Sequence, residues 1–189
     1  MNSVMKLSSS QAIEGLLSLI KAKEPILDTT FGSGTFWKGS KRVVVSGDKN
    51  PTRAKTLVLD FLNLPFSDSA FPTVVYDPPF HPGHTSADIE RYSHLGDKAS
   101  DLKPLFQRGV RECWRVTRNH LIIKCQSFVN ARQVQWMPLW AIEVCGDPFE
   151  WLTVHRENKR ISSTWNSVLS LRRNHADYLV FSKRGNYHI

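Results

Sequence analysis

Cysteine is scarce: Cys113, Cys125 and Cys145 are the three in 189 residues, odd in number and without a Cys-x-x-Cys pair. That disfavours a disulfide framework and makes reduced, buried thiols in an intracellular protein, cytoplasmic or nuclear if eukaryotic, the expectation. No run of about 18 apolar residues occurs, so no membrane span is expected. The start, Met1-Asn-Ser-Val-Met-Lys6, lacks the long apolar stretch of a secretory signal. Acids are outnumbered, 17 against 25 lysines and arginines, and the net charge of +8 favours a polyanionic partner. No repeat, low-complexity tract or linker divides the chain, so residues 1–189 are expected to form a single domain. With 41% hydrophobic residues and six tryptophans, a substantial core is within reach and disorder is disfavoured.

The most informative stretch is Thr73-Val-Val-Tyr-Asp-Pro-Pro-Phe80. Val74, Val75 and Tyr76 suit a covered, pleated strand. Pro78 and Pro79 cannot donate ladder hydrogen bonds, so the strand stops at Asp77. A proline-stiffened turn that fixes the Asp77 carboxylate, the local carbonyls and the Phe80 ring is suited to holding a planar amine. Taken alone, it reads equally well as strand-ending punctuation with a buried ring.

Other strands end in acids as well. Serines 8–10 precede the apolar positions Ala12, Ile13, Leu16 and Leu17, which predict an amphipathic helix capped by serine, with Glu14 favouring its positive end. Ile26 and Leu27 make a short strand that runs into Asp28-Thr-Thr-Phe-Gly-Ser-Gly-Thr-Phe36. Val43–Val45 form a second strand, ending at Ser46-Gly47-Asp48, and residues 51–55 could start a helix. Leu57–Leu59 form a third strand, ending at Asp60-Phe61, followed by the turn-rich Leu64-Pro-Phe-Ser-Asp68. After Phe80 comes a long flexible connection over residues 81–100, where binding loops tend to sit. A helix is predicted around Leu102–Trp114, a buried strand at Leu121–Ile123 ending at Lys124, and a helix over Val134–Val144. Two late strands fall at Phe149–Val154 and Tyr178–Phe181. Short apolar strands alternating with helices imply an α/β sheet covered on both faces.

Gly32 and Gly34 let the loop turn tightly and approach a ligand closely. A dinucleotide fingerprint wants a third glycine where Trp37 stands, which disfavours a nicotinamide or flavin enzyme. The P-loop pattern is incomplete too. Asp28 would lie near a ligand's cationic end, and Asp48 could accept both ribose hydroxyls. Asp60 could accept from an adenine amine, with the Phe61 ring on the adenine's face. Ligands of open α/β sheets bind at the carboxyl ends of strands, so acids recurring there are the signal.

These features resemble the class I S-adenosylmethionine-dependent methyltransferases. Asp28–Phe36 is similar to the family's first motif, with Thr30 and Thr35 flanking its glycines, and Asp48 to its second-strand acid. Asp77-Pro78-Pro79-Phe80 resembles the catalytic motif of the group that methylates adenine N6 or cytosine N4 in nucleic acids. Asn174–Lys183 resembles that group's closing strand. The resemblance implies a doubly wound, mostly parallel seven-stranded Rossmann-like sheet with an antiparallel final strand, and S-adenosylmethionine as cofactor. It also implies methyl transfer to an exocyclic amine of DNA or RNA. Alternatives are a nucleic-acid-binding module without turnover, or a methyltransferase for a small molecule or protein. No segment is large enough for a target-recognition domain, which leaves RNA, or specificity from a protein partner, open.

A basic loop over 156–176 offers a place for the nucleic acid: Arg156, Lys159, Arg160, Arg172 and Arg173, with Trp165 placed to stack on a base. An ordinary solvated loop anchored by the tryptophan is the even alternative. His81 and His84 with Asp77 lack further ligands of fixed spacing, so no metal is expected. Lys124 ends a strand and could face the site, against the reading of a lysine snorkelling from the strand edge.

Overall fold

The computed structural model describes residues 3–78, 99–130, 133–155 and 175–183. Ten strands are present among them: β1 Ser3–Met5, β2 Ile26–Asp28, β3 Val44–Asp48, β4 Leu57–Val58, β5 Phe71–Tyr76, β6 Thr117–Cys125, β7 Phe128–Asn130, β8 Gln133–Gln135, β9 Glu150–His155 and β10 His175–Ser182. The helices are α1 Ser9–Leu19, α2 Ala99–Val116 and α3 Met137–Cys145.

Eight strands form one sheet in the order β1-β9-β10-β6-β5-β2-β3-β4, and β7 and β8 make a separate hairpin. Only β10 runs antiparallel to its neighbours β6 and β9. Leaving β1 aside, this is the expected mostly parallel seven-stranded sheet with an antiparallel final strand. The eighth strand adds at the edge, where Ser3–Met5 pair with Leu152–Val154. Nothing in so short a segment announced it.

Alternation along the strands supplies both faces. Val74, Tyr76, Leu121, Ile123, Leu179 and Phe181 pack with Leu102, Phe106, Val110 and Cys113 of α2 and with Trp140 and Ala141 of α3. Val75, Ile122, Tyr178 and Val180 turn the other way, onto Ala12, Ile13, Leu16 and Leu17 of α1. Central strands covered twice read as apolar runs, which is why β5 and β6 were legible. All three thiols are free, Cys113 and Cys125 are buried, and burial pushes their ionisation upward.

Several local expectations change. Ser8 caps α1 in a capping box with Gln11. Glu14 serves Arg42 rather than the helix end, accepting from its Nη2 at 2.6 Å and its Nε at 3.1 Å. That guanidinium holds the Glu14 carboxyl below its usual range. Residues 51–55 form turns, not a helix, because the Asn50 side chain accepts the N–H and hydroxyl of Thr52 and so competes with helical bonding. The helix expected over 134–144 starts at Met137. Pro138 sits in the first turn, where its missing N–H costs no helical bond, and Gln133–Gln135 pair in the β7–β8 hairpin. Helix α2 already begins at Ala99, and the rest of the expected 81–100 loop lies outside the described residues.

The turn from Leu64 to Asp68 hangs on Arg115. Its guanidinium donates to the carbonyls of Leu64 (3.0 Å) and Phe66 (2.7 Å), and pairs with Asp68 and Glu112 at 2.9 Å each. Arg115→Ala should cost about 2 kcal/mol of stability. A urea midpoint equal to that of the parent protein would show that the turn does not depend on these bonds.

Candidate active site

Strand β2 lies between β3 and β5, parallel to both. The chain leaves β2 for β3 and β4 on one side and returns to β5 on the other. The loops after β2 and β5 therefore open at the point where the winding reverses, the usual ligand crevice of such sheets.

The two loops are bonded to each other. Asp28 is in register with Val75, and the Thr29 N–H donates to the Val75 carbonyl at 3.2 Å. Two residues on, the Asp77 N–H donates to Thr30 Oγ1 at 2.8 Å. Thr30 thus anchors the start of the Asp-Pro-Pro turn to the glycine loop. Pro78 is buried and Asp77 partly so. Pro79 and Phe80, the rest of the expected catalytic turn, lie outside the described residues.

The glycine loop is tied on its other side to β3. The Gly32 N–H donates to Asp48 Oδ2 at 2.7 Å, the Asn50 N–H to Asp48 Oδ1 at 2.8 Å, and the Phe31 N–H to the Gly47 carbonyl at 2.9 Å. Gly34 sits at φ 67°, and a β-carbon there would come within 2.7 Å of the Phe31 ring, so the loop requires glycine on both counts. Thr35 opens a single 3₁₀ turn through Trp37 and shares a hydrogen bond with Ser33 at 2.9 Å.

Asp28 is buried, at 1% exposure, and both of its oxygens are used by the chain. The Thr30 N–H donates to Oδ1 at 3.0 Å and the Trp37 indole N–H to Oδ2 at 2.6 Å. Burial pushes its carboxyl up to about 7, against those two hydrogen bonds and with added repulsion from Asp77 and Asp48. An unfolded aspartate ionises near pH 4. Between these values the folded state holds the extra proton, so this group makes stability fall as pH rises through the window, by at most about 1.4 kcal/mol per pH unit. Glu14 and Glu112, whose carboxyls are held low, tilt the opposite way at more acidic pH. Asp28→Asn should therefore flatten the pH 4–7 part of a urea-unfolding series. Parallel profiles for the two proteins would refute the assignment.

Farther along, the Leu59 N–H donates to the Asp48 carbonyl at 3.1 Å, which places Asp60 beside the same rim. Asp60 accepts from the Leu62 N–H at 2.9 Å and faces Lys49 at 3.3 Å. Phe61, expected on an adenine's face, is drawn into the core with its ring centroid 5.4 Å from that of Tyr76.

No family model matches the chain, and no curated protein matches it in sequence. Solved structures do match it. A Bacillus halodurans protein assigned as a methyltransferase gives a TM-score of 0.58 at 12% identity, covering 92% of this chain and 99% of that one. A Thermotoga maritima S-adenosylmethionine-dependent methyltransferase, described as a possible histamine N-methyltransferase, gives 0.55 at 14%, covering 94% and 88%. A Galdieria sulphuraria protein assigned as a sarcosine dimethylglycine methyltransferase gives 0.56 at 11%, covering 93% and 85%. The chain has a methyltransferase fold. At such identities the likeness is one of fold, and the site must speak for the chemistry.

The sequence reading did not assign the roles of two residues of this methyltransferase fold. Lys124 does not snorkel from the strand end: it is 8% exposed, and its Nζ donates to Asp77 Oδ2 at 2.7 Å. The same ammonium lies 5.0 Å from the centroid of the Phe36 ring, a cation–π contact. Register brings it there, because Tyr76 of β5 is paired with Ile123 of β6. Trp37, which spoils a dinucleotide fingerprint, is the residue that holds Asp28. The nucleic-acid candidates Arg156, Lys159, Arg160, Trp165, Arg172 and Arg173 lie outside the described residues, as do His81 and His84. Among the described residues no group of three or more metal-ligating side chains converges, and no helix is long and apolar enough to cross a membrane.

Proposed function

We propose that the protein is an S-adenosylmethionine-dependent methyltransferase acting on an exocyclic amine, adenine N6 or cytosine N4, of DNA or RNA. The observation that carries this reading is the 2.8 Å hydrogen bond from the Asp77 N–H to Thr30, which joins the amine-holding turn to the glycine loop.

The residues present suit the cofactor. The rim gathers Asp48, Asp60 and Asp77, with Asp28 buried behind them, against Lys49 facing Asp60 and Lys124 facing Asp77. The rim acid left without a facing lysine among the described residues, Asp48, suits a cationic ligand. Asp48 would hold the ribose, Gly32 and Gly34 would admit the methionine portion closely, and Thr30, Thr35 and Asp60 would line the same crevice. Asp28 acts from behind, through Trp37 and the Thr30 backbone. When bound, S-adenosylmethionine supplies a methyl on a positively charged sulfur, so that a C–N bond forms as an S–C bond breaks and its electron pair stays on sulfur.

An exocyclic amine is a poor nucleophile because its lone pair is delocalised into the ring. Asp77 and the Pro78 carbonyl would accept its two N–H groups, letting the nitrogen pyramidalise and direct its lone pair at the methyl. Phe80 would stack the base once it leaves a helix or presents itself from a single strand. This is positioning with polar preorganisation, and the extra proton leaves the nitrogen after the new bond forms.

The basic loop residues Arg156, Lys159, Arg160, Arg172 and Arg173 would contact phosphates, with Trp165 stacking on a base. A partner protein could supply target choice, and one solved neighbour, from Haloferax volcanii, is in complex with a methyltransferase activator. A small amine is the second reading, favoured by the names of the Thermotoga and Galdieria proteins. The net charge of +8 and the buried Lys124 weigh against small cationic amines. Calorimetry should find one cofactor site, and nucleic-acid affinity should fall steeply with salt. Salt-independent or absent binding to DNA and RNA would favour the small-amine reading.

A further inference from the structure

We propose that Lys124 is a positioning residue that assigns the two oxygens of Asp77, taking one itself and leaving the other for the acceptor, and that its charge restricts the acceptor to an uncharged amine. The inference rests on the reading of Asp77 as the group that accepts the amine's N–H.

The geometry is specific. An ammonium has only donors, so the oxygen facing it at 2.7 Å must act as acceptor. Among the described residues, none donates to the other oxygen, Oδ1. The lysine is itself held from two sides, by the carboxylate and by the Phe36 ring, which in turn rests on Tyr178 at 6.3 Å between centroids. Asp77 is thereby tethered at both ends: its backbone N–H by Thr30, and its carboxylate by Lys124. A carboxylate so fixed offers one oxygen in one direction, which is what orienting a weakly nucleophilic amine requires. A protonated alkylamine would have to share that carboxylate with a second cation, and like charges at such spacing repel. A nucleobase amine carries no charge and meets no such cost.

Four variants test this: Asp77→Asn, Lys124→Met, Lys124→Arg, and the Asp77→Asn/Lys124→Met pair, each first shown by calorimetry to bind the cofactor. In Asp77→Asn the ammonium should select the amide oxygen and turn the NH2 toward the acceptor, where two donors face each other. The expected loss in kcat is about 10³-fold. In the double variant the amide is free to turn over and present its oxygen, so kcat should recover by about tenfold or more over Asp77→Asn alone. Lys124→Met alone should lose roughly 10- to 100-fold in kcat, with the cofactor KM within about threefold, and Lys124→Arg should restore most of that loss. Lys124→Met should also narrow the preference for a nucleobase over an alkylammonium acceptor. A double variant no better than Asp77→Asn, or a Lys124→Met protein as active as the parent or more so, would overturn the inference while leaving the proposed function intact. A parent protein that methylates no base at all overturns both.

Discussion

Asp77→Ala should lower methyl transfer by about 10³-fold while the dissociation constant of S-adenosylmethionine changes by less than about threefold. The separation follows from how Asp77 is held. Its backbone N–H, not its side chain, is bonded to Thr30, so the turn keeps its place on the glycine loop when the carboxylate is removed. What disappears is the acceptor proposed for the substrate amine and the carboxylate that faces Lys124. That lysine side chain is only 10% exposed, so the variant also takes the facing carboxylate away from a nearly buried cation. A stability loss of about 3 kcal/mol is expected, and thermal unfolding should be recorded beside activity. Turnover equal to that of the parent protein would remove Asp77 from the chemistry.

Asp48→Ala should weaken cofactor binding by roughly 30- to 100-fold, equivalent to about 2–3 kcal/mol. Two losses combine. The acceptor proposed for the ribose hydroxyls is removed, and the N–H groups of Gly32 and Asn50 lose acceptors at 2.7 and 2.8 Å. The first removes a ligand contact. The second releases the loop that must approach the ligand, because Gly32 is tied to β3 through this acid. Asp48→Asn keeps one amide oxygen for the Gly32 N–H and should bind between the two. Calorimetry reads the effect directly, and an unchanged dissociation constant in Asp48→Ala would take the ribose role away.

The parts of this site that could be read from the sequence are those where local chemistry and topology agree. The apolar run before Asp77 and the two prolines after it place an acid at a strand end with little freedom. Asp28, Asp48 and Asp60 recur at the ends of short apolar strands, and the parallel sheet then gathers those ends on one rim. Side-chain direction was not readable in the same way. Phe61 follows Asp60 as an adenine-stacking ring would, yet the packing with Tyr76 draws it inward. Trp37 looked like a defect in a glycine pattern, and its role depends on a buried acid nine residues earlier. Lys124 could be read as facing the site but its contact with Asp77 could not, since that acid lies 47 residues away. Only the β5–β6 register brings the two together. A lysine closing the apolar run Leu121-Ile-Ile123 was the available signal, because a charge in that position needs a partner.

The same logic explains the altered helices. Periodicity pointed to a helix from Val134, but Pro138 sits in the first turn, where its missing N–H costs no helical bond, and Gln133–Gln135 pair as a hairpin instead. The connection after Asp48 is turned by Asn50 rather than wound by propensity. Both are cases in which one residue's hydrogen-bonding capacity outweighs the pattern around it.

The central claim is that these two bonded loops carry a methyl group to the amine of a nucleic-acid base. Its most direct test is mass spectrometry of nucleosides from DNA and RNA incubated with the protein and S-adenosylmethionine bearing a labelled methyl. The account predicts label in N6-methyladenosine or N4-methylcytidine, or their deoxy forms, and none with Asp77→Ala. Label confined to protein or to small amines, with every base unlabelled, would contradict it.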